Sequence, residues 1–397
     1  MSEPETRGVA WTAERGTSDK GRARLGRVGG ERTVGAASEP ETRGGGAGRD
    51  DEAPVDDLQW VRAVQLIDGA DVVCLACHVS PDGDALGSML AFAQALRDLG
   101  RPCVASFGEP FIVPSNLRFL PGLELLSGPA GYPAAPSVMV TFDAASVDRL
   151  GSLAPHAEKA RDLLVIDHHA SNTRFGTAHL VDRTAAATAV LVERLIERIG
   201  GTLTRDVALG LYTGLVSDTG SFKYASTTPR VHDLAGRLLA TGIRPERVGL
   251  ELWDRAPFGY LHVLAAALGR ARLDRTAAGG LGLVWTVVSR ADRARQGVPY
   301  DLVEGVIDVV RRTDEAEVAV VCKESDDGVW YVSTRSKGRV DVGGVCTALG
   351  GGGHPTAAGF TSPVPPAATI ERLREALAPS PSTGAQPGAE TAVVRQA

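Results

Sequence analysis

From residue 56 to residue 378 the chain alternates short β-rich apolar runs with stretches whose apolar positions recur every three or four residues. The runs at 71–77, 104–107, 138–142 and 163–166 predict strands. Helical spacing covers 86–99, 185–199 and 206–216, and the first two stop at Gly100 and at Gly200-Gly201. Strands alternating with helices predict a parallel, doubly wound α/β sheet over residues 56–240. Over 241–275 the pattern turns wholly helical, with Leu250, Trp253, Leu261, Leu264 and Leu268 as apolar anchors, and reads as a connector. Beyond it, strand-like runs at 281–288, 317–322 and 330–334 and helical runs at 301–311 and 342–349 predict a smaller α/β domain over 276–378.

The flanks lack this patterning. Residues 1–55 are rich in Gly, Arg, Glu and Ser, and Ser2-Glu3-Pro4-Glu5-Thr6-Arg7-Gly8 recurs at 38–44. Such composition buries too little surface to offset the entropy of ordering, so a disordered tail is expected. Translation from a start upstream of the one the cell uses is the other reading. The Pro, Ser, Gly and Ala-rich stretch 379–397 is expected to be a second tail.

Composition narrows the function classes. A net charge of −6 gives no global electrostatic case for duplex nucleic acid. The five cysteines are odd in number and scattered, which fits reduced thiols in a cytoplasmic protein. Cys74 and Cys77 lie within an apolar strand rather than at a helix start, so a core role is expected over a redox pair. No apolar run approaches the roughly 18–20 residues of a membrane span, and the N-terminus lacks the apolar core of a signal peptide.

The informative chemistry follows the strands. His78-Val79-Ser80-Pro81-Asp82-Gly83-Asp84 comes directly after the first run, Asp143 after the third, and Asp167-His168-His169 at the end of the fourth. Asp218 comes off a helical run and precedes Thr219-Gly220-Ser221. In open α/β sheets, ligands sit beyond the carboxyl ends of strands. Gly83 is expected to free the backbone so that this loop aims its side chains one way. Carboxylates with imidazoles suit Mn²⁺, Mg²⁺, Zn²⁺ or Fe²⁺, and two such ions side by side are what phosphoester hydrolysis requires. Each piece alone is weak, since Asp143 by itself reads as a helix cap. Their shared placement after β-like runs is not.

These motifs carry a family resemblance. Cys77-His78-Val79-Ser80-Pro81-Asp82-Gly83-Asp84-Ala85-Leu86-Gly87-Ser88, Phe142-Asp143, Asp167-His168-His169 and Ser217-Asp218-Thr219-Gly220-Ser221-Phe222 stand in the first domain. Ser333-Thr334-Arg335-Ser336, then Gly350-Gly351-Gly352-Gly353-His354-Pro355 and Ala357-Ala358-Gly359, stand in the second. The chain resembles the DHH/DHHA1 phosphoesterases, in the subgroup of bacterial nanoRNases (oligoribonucleases), 3′-phosphoadenosine 5′-phosphate (pAp) phosphatases and cyclic-di-AMP phosphodiesterases. The resemblance implies a DHH catalytic domain, a helical connector and a DHHA1 substrate-binding domain. It implies two metal ions, usually Mn²⁺, one held by His78, Asp82 and Asp143 and the other by Asp84, Asp143, His168 and Asp218. Asp143 would bridge, Asp167 would support, and His169 would face the substrate phosphate or leaving group. It also implies a homodimer.

In the second domain the Gly350–Gly353 run lacks the Gly-Lys-Ser/Thr ending of a Walker loop and does not follow a strand as a dinucleotide-binding loop does. Under the resemblance, Arg335, Ser336, Gly352, Gly353 and His354 would hold the nucleotide end of the substrate, with Lys337 and Arg339 extending the basic patch. A short RNA or small nucleotide would then lie between the domains, with neither duplex DNA nor a membrane as partner. Phe222 and Tyr224 read equally as base-stacking or core residues, and Trp253 and Trp285 as packing residues. The rival readings are a family II inorganic pyrophosphatase, a RecJ-like single-strand exonuclease, and a nucleotide-binding regulator without catalysis.

Overall fold

The computed structural model describes residues 55–378. Apart from Val55, the two tails expected at 1–55 and 379–397 lie outside the described residues. The first sheet comprises β1 (Val73–Cys77), β2 (Cys103–Phe107), β3 (Val138–Phe142), β4 (Asp162–Asp167) and β5 (Ala178–Val181), in the order β2-β1-β3-β4-β5. Every pairing is parallel. Its strands alternate between two buried faces. Leu75, Val140 and Leu164 join one core; Cys74, Ala76, Met139 and Val165 join the other. Burial on both faces is why these strands read as continuous apolar runs. Cys74 and Cys77 are both buried free thiols, as expected.

The helices of this half are α1 (Asp57–Asp68), α2 (Gly83–Asp98), α3 (Ala154–Lys159), α4 (Thr188–Arg198) and α5 (Arg205–Asp218). Helices α2 and α5 cross at close range because glycines face each other. A Cβ on Gly87 would lie 2.5 Å from the Gly210 carbonyl oxygen, and one on Gly83 would lie 2.0 Å from Ser217 Oγ. This revises the expectation for Gly83. It is the first residue of α2 and serves close approach, which brings the start of α2 against the end of α5. Helix α4 begins at Thr188 rather than 185, because Ala187 is extended (φ −165°, ψ 155°).

Helix α6 (Pro229–Leu239) packs on the first core, and the connector holds α7 (Pro245–Trp253) and α8 (Phe258–Gly269). Of its expected anchors, Leu250 and Leu264 are half-buried, Leu264 against the core that holds Val263. Trp253 is 51% exposed, and Leu261 and Leu268 are also exposed, while Val263 and Ala267 are the buried positions of α8. Helix α8 is apolar nearly all round, so spacing alone could not select its buried face. Trp285, by contrast, is partly buried against the second core, with the Arg374 guanidinium 4.8 Å from its ring centre.

The second sheet comprises β6 (Arg272–Asp274), β7 (Leu283–Val288), β8 (Val318–Glu324), β9 (Trp330–Ser336), β10 (Gly352–His354) and β11 (Ala357–Ser362), in the order β10-β11-β9-β8-β7-β6. Only β7 and β8 pair in parallel; the other pairings are antiparallel. The helix expected over 301–311 is two pieces, a 3-10 turn Tyr300–Val303 and a helix Val306–Val310, interrupted at Glu304-Gly305. The second half of the glycine run opens an edge strand, since Gly352–His354 pairs with β11. No described helix is long and apolar enough to cross a membrane.

Candidate metal centre

In this strand order the direction of winding reverses between β1 and β3, and the crevice beyond their carboxyl ends is where such sheets bind ligands. His78 directly follows β1 and Asp143 directly follows β3. Asp143 has φ 55°, left-handed and uncommon for a residue with a side chain, and its amide donates to the Ile166 carbonyl at 3.0 Å. The carboxylate faces both halves of the crevice. Its Oδ2 lies 3.6 Å from His78 Nε2, and its Oδ1 lies 3.5 Å from His168 Nε2.

The other groups gather around these two oxygens. Asp82 caps α2, its Oδ1 accepting from the amides of Asp84 and Ala85 at 3.0 Å each. Its Oδ2 is left to face His78 Nε2 at 3.8 Å. Asp218, the last residue of α5, places Oδ2 2.9 Å from His168 Nε2, and Asp84 Oδ2 lies 3.9 Å from the same nitrogen. All six candidate ligands therefore converge. One ligand atom each from His78, Asp82 and Asp143 fall within 4.8 Å of one another, and so do those of Asp84, Asp143 and His168.

The histidine tautomers suit ligation. His78 Nδ1 lies 2.9 Å from the Val79 carbonyl and His168 Nδ1 3.1 Å from the Ala185 carbonyl. A carbonyl only accepts, so in the neutral ring Nδ1 carries the hydrogen and Nε2 turns a lone pair inward. His168 Nε2 is buried and, despite its closeness to Asp218, has no aligned hydrogen-bond partner. An orphaned lone pair ringed by carboxylates fits a divalent cation.

Electrostatics show the same crowding. Burial would lower the His78 imidazole, but Asp143 and Asp82 carry it up to about 10. Burial likewise opposes a raised His168, yet hydrogen-bonding range to Asp143 and Asp218 lifts it well above its usual range. The Asp84 carboxyl is pushed far up by burial and by the neighbouring Asp143 and Asp218.

These ligands are held in turn by neighbours, of which Thr188 and Asn172 carried no motif signal. Thr188 Oγ1 donates to Asp143 Oδ1 at 2.9 Å. Asp84 accepts from Ser88 Oγ at 2.9 Å and from the amides of Thr188 and Ala189 at 2.5 and 3.0 Å, so it also caps α4. Asp167 holds His169 Nδ1 at 2.7 Å and accepts from Asn172 Nδ2 at 2.6 Å. Asn172 lies three residues past His169, a spacing that no motif template flags.

The second domain closes over this rim. The His354 ring stacks on His169 with centroids 4.4 Å apart and planes at 21°, and its centroid lies 4.8 Å from that of His168. Burial and the two adjacent imidazoles lower His354 to about 4. Register places Arg335, Ala357 and His354 side by side across β9, β11 and β10, hence on one face. Arg335 Nη1 donates to the Thr334 carbonyl at 3.0 Å, while its buried Nε has no partner. Gly352 shares that face, and a Cβ there would meet nothing within 4 Å. Gly353 lies on the opposite face at φ 138°, where a Cβ would lie 2.6 Å from Ala358 Cα.

Ser336 departs from the expected substrate contacts. It is buried on the far face, donates to Glu317 Oε1 at 2.9 Å and accepts from the Gly338 amide at 3.0 Å. Strand alternation turns it away from Arg335. Lys337 is likewise directed elsewhere, donating to the Thr313 carbonyl at 2.6 Å. Phe222 packs partly buried against the first core, and the Tyr224 hydroxyl accepts from Arg311 Nη1 at 2.7 Å, with that guanidinium 5.2 Å from the Tyr224 ring centre.

Comparison with known proteins accords with this architecture. The pattern described as "DHH family, N-terminal domain" matches residues 72–215, and that of the "DHHA1 domain" matches residues 284–378. The bifunctional oligoribonuclease and PAP phosphatase NrnA of Thermus thermophilus is 34% identical over 289 residues, 73% of this chain and 83% of that one. The protein of the same name from Bacillus subtilis is 25% identical over 76% of this chain and 91% of its own length. The cyclic-di-AMP phosphodiesterase GdpP of Geobacillus thermodenitrificans is 27% identical over 79% of this chain and 48% of its length. An exopolyphosphatase-related protein from Bacteroides fragilis shares the fold, with a TM-score of 0.72 at 20% identity over 81% of this chain and 96% of that one. With both domain patterns in order and a relative at 34% identity, the chain belongs to the DHH/DHHA1 family of phosphoesterases.

Proposed function

We propose that the protein is a two-metal phosphoester hydrolase acting on short oligoribonucleotides and on pAp, with cyclic-di-AMP as a further substrate. The observation that carries this reading is the split carboxylate of Asp143, one oxygen toward His78 and the other toward His168. Two cation positions sharing one carboxylate suit in-line displacement at phosphorus. The relatives named above as oligoribonuclease, PAP phosphatase and cyclic-di-AMP phosphodiesterase support the substrate class.

In this proposal His78, Asp82 and Asp143 hold one ion, and Asp84, Asp143, His168 and Asp218 hold the other, with Mn²⁺ as the metal. Bound ions would supply Lewis acidity and neutralise charge on the attacking and leaving oxygens. The chain's own groups do the rest. Thr188 and the α4 amides fix the orientation of Asp143 and Asp84. Asp167 holds the Nδ1 hydrogen of His169, which turns Nε2 toward the crevice to contact a phosphate oxygen or protonate the leaving oxygen. Arg335, His354 and the backbone at Gly352 and Gly353 grip the nucleotide, excluding water as the second domain closes. A cytoplasmic homodimer completes the proposal.

The test is a product assay. Purified protein with Mn²⁺ is given pAp, pApA, pGpG, cyclic-di-AMP, a long single-stranded RNA and pyrophosphate. Turnover of pAp and the dinucleotides is expected, with the long RNA a poor substrate. Activity on pyrophosphate alone would overturn the reading.

A further inference from the structure

The sheet face that carries Arg335 and His354 continues past them. Strand alternation puts Arg335, Ser333 and Tyr331 on the same face of β9. Register adds their neighbours. Gly352 and Gly359 stand level with Ser333 on β10 and β11, and Lys323 and Thr361 stand level with Tyr331. The face is therefore a trough. His354 and Arg335 form one wall, the middle row is floored by glycines and a serine, and Tyr331 forms the other wall. The space over Gly352 is open. From Arg335 to Tyr331 the backbone advances about 13 Å at ~3.3 Å per residue, the scale of a dinucleotide rather than a mononucleotide.

The groups in the trough have free chemistry. Lys323 is buried and donates to Ser333 Oγ at 2.8 Å and to Glu304. A hydroxyl that accepts from an ammonium still has its own hydrogen to donate, outward to a sugar or phosphate oxygen. Tyr331 is 41% exposed, and Tyr300 meets it edge to face, with centroids 5.8 Å apart and planes at 63°. An edge contact braces the ring while leaving aromatic surface open. The same 3-10 turn that carries Tyr300 reaches the first domain, where Asp301 Oδ2 accepts from the Ser115 amide at 2.7 Å. The trough thus runs between two interdomain contacts, His354 on His169 at one end and Asp301 on Ser115 at the other.

We infer that Tyr331 is a stacking platform for the nucleoside distal to the scissile phosphate, with Ser333 and the glycine floor beneath it. This rests on the proposed function and names the residue that lets the protein distinguish a dinucleotide from pAp. A base of any identity offers a face to the ring, so the selection is for length rather than sequence.

Tyr331→Ala and Tyr331→Phe are compared with the wild type on pAp and pApA, with KM and kcat separated. In Tyr331→Ala, the ratio of kcat/KM for pApA to that for pAp is expected to fall about tenfold, mainly through KM, with Tyr331→Phe restoring it. A ratio that stays at the wild-type value in Tyr331→Ala, or a Phe variant that fails to rescue, would overturn this inference alone. A wild type that hydrolyses neither substrate would overturn the phosphoester reading and this inference with it.

Discussion

The two faces that meet at the crevice are built on opposite terms. On the first-domain rim, Asp84, Asp143, Asp167 and His168 are buried, and each is held by backbone amides, carbonyls or short polar side chains. On the second-domain face, Arg335 and His354 are only partly buried, Gly352 faces open space, and Arg335 Nε has no partner. A site that positions charged ligands must be rigid before anything binds, because an error of a fraction of an ångström changes coordination. A surface that receives a flexible nucleotide gains from leaving room. In the proposed function, this contrast gives chemistry to one face and selection to the other.

The harshest way to break this contrast is Asp143→Asn. Turnover of every substrate should fall further than the ~10–100-fold expected for a residue standing behind a ligand. Mn²⁺ titration by calorimetry should lose its stoichiometry of two. Normal rates on any one substrate would dissolve the proposed shared ligand.

Arg335→Ala should act only on the other face. Loss of a charged hydrogen-bonding group is expected to lower kcat/KM for nucleotides about 10–100-fold, while Mn²⁺ binding by the same calorimetry stays at two ions. Loss of metal in this variant would mean that the two faces are not separate.

Thr188→Val sharpens the first half of the comparison. It removes the hydroxyl that orients Asp143 Oδ1 while keeping a similar volume. Metal affinity should fall by about tenfold, the low end for residues behind a ligand, and the loss should be equal for pAp and pApA. A loss confined to one substrate would place Thr188 in selection instead.

The smallest effect is expected from Tyr224→Phe, which removes the hydroxyl that accepts from Arg311 across the domains. Such a bond is worth about 0.5–1.5 kcal/mol. KM should shift by a few-fold at most, with kcat and metal binding held. A collapse of metal binding would show that the loop after Asp218 depends on the second domain for its shape.

Legibility in the sequence followed the same division. The strands β1, β3 and β4 were readable because parallel strands buried on both faces leave long apolar runs, and their ends named His78, Asp143 and Asp167-His168-His169. Strand β5 has no continuous apolar run, since His179 interrupts it, and β10 is mostly glycine. Helix α8 hid its buried face because nearly every position is apolar. Ser336 looked like a substrate contact because it adjoins Arg335, but neighbours in a strand face opposite ways. Gly83 looked like a turn, and only the approach of Ser217 from α5 explains it.

By itself, the sequence determined which groups exist and which strand ends carry them. Residue type and two-fold or 3.6-fold spacing are local properties, so six candidate ligands and the family resemblance could be read without coordinates. Only the tertiary structure decided which oxygen of Asp143 meets which histidine, that Thr188 and Asn172 stand behind the site, and that His354 closes over His169. Most of those contacts join residues 25 to 185 positions apart, and no periodicity along a chain encodes a distance across a fold.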